Sequence, residues 1–182
     1  LFAAEGDGGQ KSLFDSSYKT IETTKINYKL VDNISDCSAL VEKLMVLKSF
    51  AFDTETSSLN ALEAEIVGLS FSYKANEAYY VPTPANPKER GEILAIFKPL
   101  FENERIEKVG QNIKYDYHIL ANYGIGLKGV FFDTMIAHYL IHPDMRHNMN
   151  VLAETYLNYS PIKIETIIGK GKAQLNMRDL PA

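Results

Sequence analysis

The stretch SFAFDTE (residues 49–55) ends an apolar run with two acids, Asp53 and Glu55. A short run of this kind predicts a buried β-strand. Residues two apart in a strand point to the same face, so the two carboxylates would lie side by side. Two adjacent like charges are costly unless a cation lies between them. The pair therefore suggests a metal site, although taken alone such a pair is more common as ordinary strand charge.

The residues around this strand predict alternating strands and helices. Strands are predicted over 27–31, 49–55, 65–74, 77–83, 107–112 and 129–132. Helices are predicted over 35–48, 87–103, 113–124, 133–142 and 148–158, with Ser35 and Asp133 as N-caps, Pro87 as a first helical residue and Gly124 as a C-cap. This order indicates an α/β fold, a mixed sheet flanked by helices. Ligands of such sheets bind at the carboxyl ends of strands, where Asp53 and Glu55 lie.

Composition narrows the class of protein. The chain has 182 residues and a net charge of -4, which fits one domain and argues against a passive nucleic-acid binder with a broad basic face. The single Cys37 fits a reducing cytosol, and no apolar run or leader pattern suggests a membrane or secretion. We expect residues 1–26 to be a flexible interdomain linker and residues 27–182 to be an incomplete domain of a longer protein.

A second acidic motif follows in VGQNIKYD (residues 109–116). Asp116 falls in the first turn of a predicted helix that follows a buried strand, where a carboxylate can bind a metal and complement the helix dipole. Asn112 lies at the junction of the strand and the helix, where it can cap the helix or bind substrate. Each of these residues alone is more often surface decoration.

Taken together, the two motifs resemble the proofreading 3′→5′ exonuclease domain of bacterial DNA polymerase I. FAFDTETSSL (50–59) precedes VGQNIKYD by about sixty residues, and ANYGIGLKGVFFDTM (121–135), RHNMNVLAETYL (146–157) and IIGKGKAQL (167–175) extend the resemblance. That domain belongs to the DEDD exonucleases. The resemblance therefore implies a ribonuclease H-like fold for most of the chain.

The resemblance also implies roles for individual residues. Asp53, Glu55 and Asp116 match three of the four carboxylates that hold two divalent ions, Mg²⁺ or Mn²⁺. Leu59 matches an apolar wedge that packs against the bases of a frayed 3′ end. The residues that match positions along the path of the substrate strand are Thr56, Asn112, Tyr115 and Arg146.

The implied activity is hydrolysis of the 3′-terminal phosphodiester of single-stranded or frayed DNA. The implied partners are that DNA end and the polymerase and 5′-nuclease domains of the same parent chain, without a membrane. The implied location is the bacterial cytoplasm, in association with the nucleoid.

The fourth acid of the family belongs to a third motif, Tyr-x-x-x-Asp or His-x-x-x-x-Asp, which should follow GKGKAQL. Residues 28–32 have the tyrosine spacing but precede the first motif, so we interpret them as a chance match. We therefore expect this chain to bind metal weakly and to hydrolyse DNA poorly or not at all.

Two other functions stay open. One is a structural scaffold within a polymerase, although the three retained acids argue against it. The other is a free-standing RNA-trimming exonuclease of the same superfamily. His138 and His142 are four apart, a spacing that zinc ligands use, but no third ligand stands out, and we interpret them as ordinary helix residues. The stretch GKGK (169–172) is interpreted as a basic loop.

Overall fold

A six-stranded sheet organises the chain in the computed structural model, which describes residues 18–171 and 174–180. Its strands are β1 (Asn27–Leu30), β2 (Ser49–Thr56), β3 (Ile66–Lys74), β4 (Glu77–Pro82), β5 (Glu107–Gly110) and β6 (Phe131–Asp133). They lie in the order β1-β4-β3-β2-β5-β6. β3 is antiparallel to β2 and β4, whereas the other neighbouring pairs are parallel. The predicted mixed α/β sheet is confirmed.

Helices alternate with these strands, largely where the sequence predicts them. They are α1 (Ile34–Met45), α2 (Pro87–Phe101), α3 (Ile113–Asn122), α4 (Thr134–Ile141), α5 (Met149–Leu157) and α6 (Ile164–Ile168), followed by a 3₁₀ turn at Met177–Asp179. The sequence analysis did not predict α6 or the turn. None of the helices within the described ranges is long and apolar enough to cross a membrane.

The start of α1 differs from the prediction. Asn33, and not Ser35, is the N-cap, and its Oδ1 accepts a hydrogen bond from the backbone N–H of Asp36 at 2.9 Å. Both residue types cap helices well. Capping at Asn33 lets the helix begin at Ile34. Pro87 is confirmed as the first residue of α2, with Asn86 as its cap.

An aromatic cluster beneath the sheet determines which way β2 faces. Phe50 and Phe52 are buried on one face of the strand, against Phe71, Phe97 and Phe101. The rings of Phe71 and Phe97 stack with centroids 5.1 Å apart. Because side chains alternate along a strand, burying the two phenylalanines turns Asp53 and Glu55 to the opposite face.

Lys108 on β5 is a fully buried cation, with 0% of its surface exposed. Its Nζ donates to the carbonyl oxygen of Lys128 at 2.7 Å and to that of Asn103. Burial lowers the pKa of Lys108 to about 8. The side chain thereby joins β5 to the loop after α2, through Asn103, and to the loop before β6, through Lys128.

The predicted linker lies partly outside the described residues. Residues 1–17 are not described, and neither are residues 172–173, the first of which ends the GKGK stretch. Within residues 18–26, the backbone N–H of Lys19 donates to Asn158 at 2.9 Å and its carbonyl accepts from Ser160 at 2.8 Å. The boundary at residue 27 stays a prediction.

Asp133 holds the starts of two helices at once. It is the N-cap of α4, as predicted, and its Oδ1 accepts from the backbone N–H of Met135 at 2.9 Å. The same carboxylate accepts from Asn112 at 3.1 Å and from Ile113 at 2.8 Å, at the start of α3. Asn112 itself has φ 61° and makes no capping hydrogen bond with its side chain. The cap of α3 therefore comes from a distant residue and not from Asn112.

We predict that Asp133→Ala destabilises the chain more than the loss of one cap does. Each lost cap costs about 1 kcal/mol, so the free energy of unfolding should fall by about 2–3 kcal/mol. Asp133→Asn keeps one acceptor oxygen and should lose about half as much. Urea unfolding followed by circular dichroism measures both changes. Equal losses for the two variants would contradict the shared cap.

Candidate active site

β2 and β3 together position the first two acids. Asp53 lies opposite Ser70 and Glu55 lies opposite Gly68, with an irregularity in the pairing between Glu55 and Thr56. A Cβ on Gly68 would lie 2.4 Å from the hydroxyl oxygen of Tyr80. Glycine at this position therefore lets the Tyr80 ring lie over β3, next to Glu55.

Asp116 on α3 is held against β2 by Thr54, the residue between the two acids. Its Oδ1 accepts a hydrogen bond from the Thr54 hydroxyl at 2.6 Å and another from the Thr54 backbone N–H at 3.0 Å. Asp116 is only 2% exposed. The two bonds fix one carboxylate oxygen of Asp116 and leave the other available to a ligand. Sequence analysis missed Thr54, although a hydroxyl at an inward position of an apolar strand signals a buried partner.

The three acids share a poorly solvated region. Burial, and then the charges of Asp116 and Glu55, raise the pKa of Asp53 to about 7. Burial raises the pKa of Asp116 to about 6, against the hydrogen bonds from Thr54, and the charge of Asp133 adds to the rise. Burial also raises the pKa of Glu55. Asp53 is the acid whose pKa is raised by the charges of both of the others.

This donor set fits a hard divalent cation. Mg²⁺ binds oxygen ligands, usually through one or two carboxylates, and keeps several waters. Within the described ranges, no three His, Cys, Asp or Glu side chains stand close enough to enclose one ion. The charges of Asp116 and Glu55 nevertheless contribute to the raised pKa of Asp53, so all three acids act on the same neighbourhood. A cation that keeps its waters and binds substrate oxygens does not need three enclosing side chains.

A cleft of about 570 Å³ opens beside Glu55 and brings together several of the predicted substrate residues. Thr56, Leu59 and Tyr115 line it. The Tyr115 hydroxyl lies 2.6 Å from the Thr56 hydroxyl and also donates to the carbonyl oxygen of Ser58 at 2.6 Å. Leu59 is 96% exposed at the rim of the cleft, and its role as a wedge stays a prediction.

The other wall of the cleft was not predicted from the sequence. It consists of apolar and amide side chains from α6 and the segment after it: Ile164, Ile168, Gln174, Leu175, Asn176 and Met177. The spacing of these residues in the sequence does not predict a helix or a strand. Only the tertiary fold shows that they face Leu59.

Two predicted substrate residues lie outside this cleft. Asn112 is at the junction of β5 and α3, and Arg146 is exposed in the loop between α4 and α5. Neither belongs to the lining of the cleft. Their roles stay predictions from the resemblance.

Of the histidines with zinc-like spacing, His138 is buried against α5 and the loop before it, whereas His142 is exposed at the end of α4. Nδ1 of His138 lies 2.6 Å from Nδ1 of His147, and its Nε2 lies 3.0 Å from the Tyr156 hydroxyl. The ring of His142 lies 5.5 Å from that of His138. Both ring nitrogens of His138 therefore have protein partners, in agreement with a structural role.

Comparisons with known proteins find relatives over most of the chain. A family model described as 3′–5′ exonuclease matches residues 28–180. DNA polymerase I of Borreliella burgdorferi is 39% identical over 173 residues, which cover 88% of this chain and 19% of the relative. DNA polymerase I of Pseudomonas aeruginosa is 41% identical over 160 residues, which cover 83% of this chain and 18% of the relative. The chain thus spans about a fifth of the length of these curated relatives.

A solved structure shares the fold at low sequence identity. It is that of Brucella melitensis NrnC with bound Mg²⁺, with a TM-score of 0.59 and 20% identity. The match covers 75% of this chain and 64% of that one. At this identity the likeness supports the fold, which is that of ribonuclease H-like exonucleases.

We predict that Asp53→Asn stabilises the metal-free chain at alkaline pH. The pKa of Asp53 is raised from 3.8 to about 7 in the folded protein, so the folded state holds the proton more tightly than the unfolded state. The stabilisation that the proton provides is present below about pH 4 and is lost as the pH rises to about 7. Asparagine stays neutral, so with EDTA at about pH 8 it should raise the free energy of unfolding by roughly 1–3 kcal/mol.

The control is the same comparison at about pH 3.5, where the gain should largely vanish because Asp53 is then mostly protonated in both the folded and the unfolded chain. Urea unfolding at both pH values measures it. A gain that is independent of pH would mean that the charge of Asp53 is not the cause.

We predict that Thr54→Val weakens the hold on Asp116 while preserving the shape of the core. Valine removes the hydroxyl donor and leaves the backbone N–H bond, so the chain should lose about 1–2 kcal/mol of stability. Because the Thr54 bonds lower the pKa of Asp116, removing one should raise it further, which NMR titration of the carboxyl carbon measures. Thr54→Ser retains the donor and should leave the pKa of Asp116 near its original value. An unchanged pKa in Thr54→Val would contradict this role.

Proposed function

Because this chain belongs to the 3′–5′ exonuclease family of DNA polymerase I, we propose that its cleft removes nucleotides from the 3′ end of single-stranded or frayed DNA. The proposal rests on three neighbouring acids, the half-buried Asp53 and Glu55 and the buried Asp116, and on an open cleft that Glu55 lines, with an exposed Leu59 at its rim. The acids supply a site for metal-assisted hydrolysis, and the cleft supplies room for a nucleotide.

Asp53, Glu55 and Asp116 are the residues that would hold divalent cations. Bound Mg²⁺ or Mn²⁺, singly or as a pair, supplies an activated water and charge stabilisation for phosphodiester hydrolysis. Asp53 suits a central ligand because its carboxylate interacts with both of the other acids. Thr54 orients Asp116 by two hydrogen bonds. The buried setting strengthens the attraction between these carboxylates and a cation.

The cleft residues bind and orient the DNA end. Leu59 is exposed for packing against a base, and Thr56 and Tyr115 offer hydroxyls next to Glu55. Apolar packing and contacts to the strand backbone do not read base identity. The proposed activity is therefore tolerant of sequence, as removal of any mismatched nucleotide requires.

The wider setting of the domain is also part of the proposal. The relatives are DNA polymerases I, so we place the domain in a parent chain with polymerase and 5′-nuclease domains, acting on the nucleoid in the bacterial cytoplasm. A purely structural domain would not need to gather three poorly solvated carboxylates at one place, since their desolvation lowers stability. An RNA-trimming exonuclease is the other candidate, because the fold is shared with RNase D of Escherichia coli, an exoribonuclease.

We predict weak, Mn²⁺-dependent cleavage of single-stranded DNA by the 182-residue chain. Activity should be low because the sequence contains three of the four acids of the family. A 5′-labelled DNA strand and an RNA strand of the same sequence separate the two nuclease functions, and DNA should be shortened at least about tenfold faster. Asp53→Asn should abolish the cleavage, whereas Glu92→Gln, which removes an exposed acid on α2, should not.

RNA shortened faster than DNA would favour the trimming function. No cleavage and no metal binding would favour the scaffold. Rapid cleavage would mean that a further acid completes the site, and Asp144→Asn would then test the exposed acid in the loop between α4 and α5.

A further inference from the structure

The segment 174–180, here called the strap, separates two cavities at Glu55. Gln174, Leu175, Asn176 and Met177 line the cleft of about 570 Å³. Met177, Arg178 and Leu180 line a second cavity of about 420 Å³, and Glu55 borders both. The position of the strap therefore determines the width of the cleft next to a candidate metal ligand.

Arg178 fastens the strap to the sheet. Its Nη2 donates to the carbonyl oxygen of Ile66 at 2.9 Å, and its Nη1 donates to that of Thr83 at 3.3 Å. Nη2 also lies 3.3 Å from Oε2 of Glu65. The guanidinium thus contacts the start of β3 and the residue just after β4. β3 lies next to β2, which carries Glu55, and β4 carries Tyr80. A planar fork of donors suits this arrangement, and the single ammonium of lysine does not.

Glu65 shares its carboxylate between two arginines. Arg90, which is 4% exposed on α2, donates to both of its oxygens at 3.1 Å. The pair with Arg90 holds Glu65 in place, so Glu65 forms a fixed anchor for Arg178. The strap is also bound at Asn176, whose Nδ2 donates to the carbonyl oxygen of Ser57 at 3.0 Å.

We propose that Arg178 is a positioning residue, which holds the strap as the wall of the cleft against which the 3′-terminal nucleotide packs. The inference rests on the proposed function for the identity of the ligand. Arg178 acts through the strap and not by contacting a phosphate, since its Nη1 and Nη2 already serve two carbonyls and Glu65. When Arg178 is lost, the strap lifts and the apolar contacts of Leu175 and Met177 with the nucleotide are lost with it.

Hydrogen exchange tests the anchor without any substrate. Amide exchange of residues 174–180, measured by mass spectrometry, should become about tenfold faster in Arg178→Lys and in Glu65→Gln. Arg105→Ala removes an exposed arginine before β5 and should leave the exchange unchanged. Unchanged exchange in Arg178→Lys would overturn the proposal. Should Glu65→Gln fail to fold because Arg90 loses its partner, Arg178→Lys and Arg178→Ala carry the test.

Binding tests the consequence for the cleft. The Kd for a 5′-fluorescein-labelled oligodeoxythymidylate, measured by anisotropy in Ca²⁺, should rise about fivefold to twentyfold in Arg178→Lys and Glu65→Gln. The slope of log Kd against log salt concentration should not change. A direct phosphate contact predicts a different pattern: tighter or equal binding in Glu65→Gln, and a slope reduced by about 0.7 in Arg178→Ala. That pattern, or an unchanged Kd with faster exchange, would overturn the proposal.

The two hypotheses fail separately. If the unaltered chain binds no oligonucleotide, the proposed function fails, and the claim about the nucleotide wall fails with it. The exchange of residues 174–180 then still decides whether Arg178 anchors the strap. If the unaltered chain binds the oligonucleotide and the Arg178 variants bind it with the same Kd, the proposed function stands and the positioning role is excluded.

Discussion

Three acids repel one another where β2 meets α3: Asp53 and Glu55 are half-buried on the strand, and Asp116 is buried on the helix. Removing a carboxylate from water is unfavourable, and placing a second one beside it is more so. The raised pKa values of Asp53, to about 7, and Asp116, to about 6, express that cost. A protein that retains such an arrangement gives up stability for it. A bound cation recovers part of the loss, so metal binding and the stability of the chain are coupled.

The fold maintains the arrangement by rigid and distant contacts. The phenylalanine cluster below β2 turns the two strand acids to one face, and Thr54 on the other face reaches Asp116. Asp133 holds the start of α3, the helix that carries Asp116, through the N–H groups of Asn112 and Ile113. The acids are thus positioned by a strand, a helix and a shared cap, none of which belongs to the cleft itself.

Short sequence patterns predicted the parts of this site that depend on a single strand or helix. The spacing of Asp53 and Glu55 requires only a strand, and Asp116 requires only the helix after β5. The strands and most helices followed from periodicity and turn residues. At α1 two good capping residues compete, and the prediction chose Ser35 where the structure uses Asn33.

Contacts between residues far apart in sequence were not predictable in this way. Thr54 bonds to a residue 62 positions away, Asp133 caps a helix that starts 20 positions earlier, and Arg178 reaches Ile66 across 112 positions. The helical and strand periodicity of a sequence does not predict which distant residues form such pairs. The roles of Asn112 and Arg146 rest on the resemblance alone, because neither lines the cleft.

The most direct measurement of the central claim is a Mn²⁺ titration followed by electron paramagnetic resonance at neutral pH, which counts free and bound ions. The account predicts binding to the unaltered chain that is at least about tenfold weaker in Asp53→Asn and in Asp116→Asn. It also predicts that Glu92→Gln binds as the unaltered chain does. Equal binding by all four proteins, or no binding by any, would show that the buried carboxylates do not form a metal site.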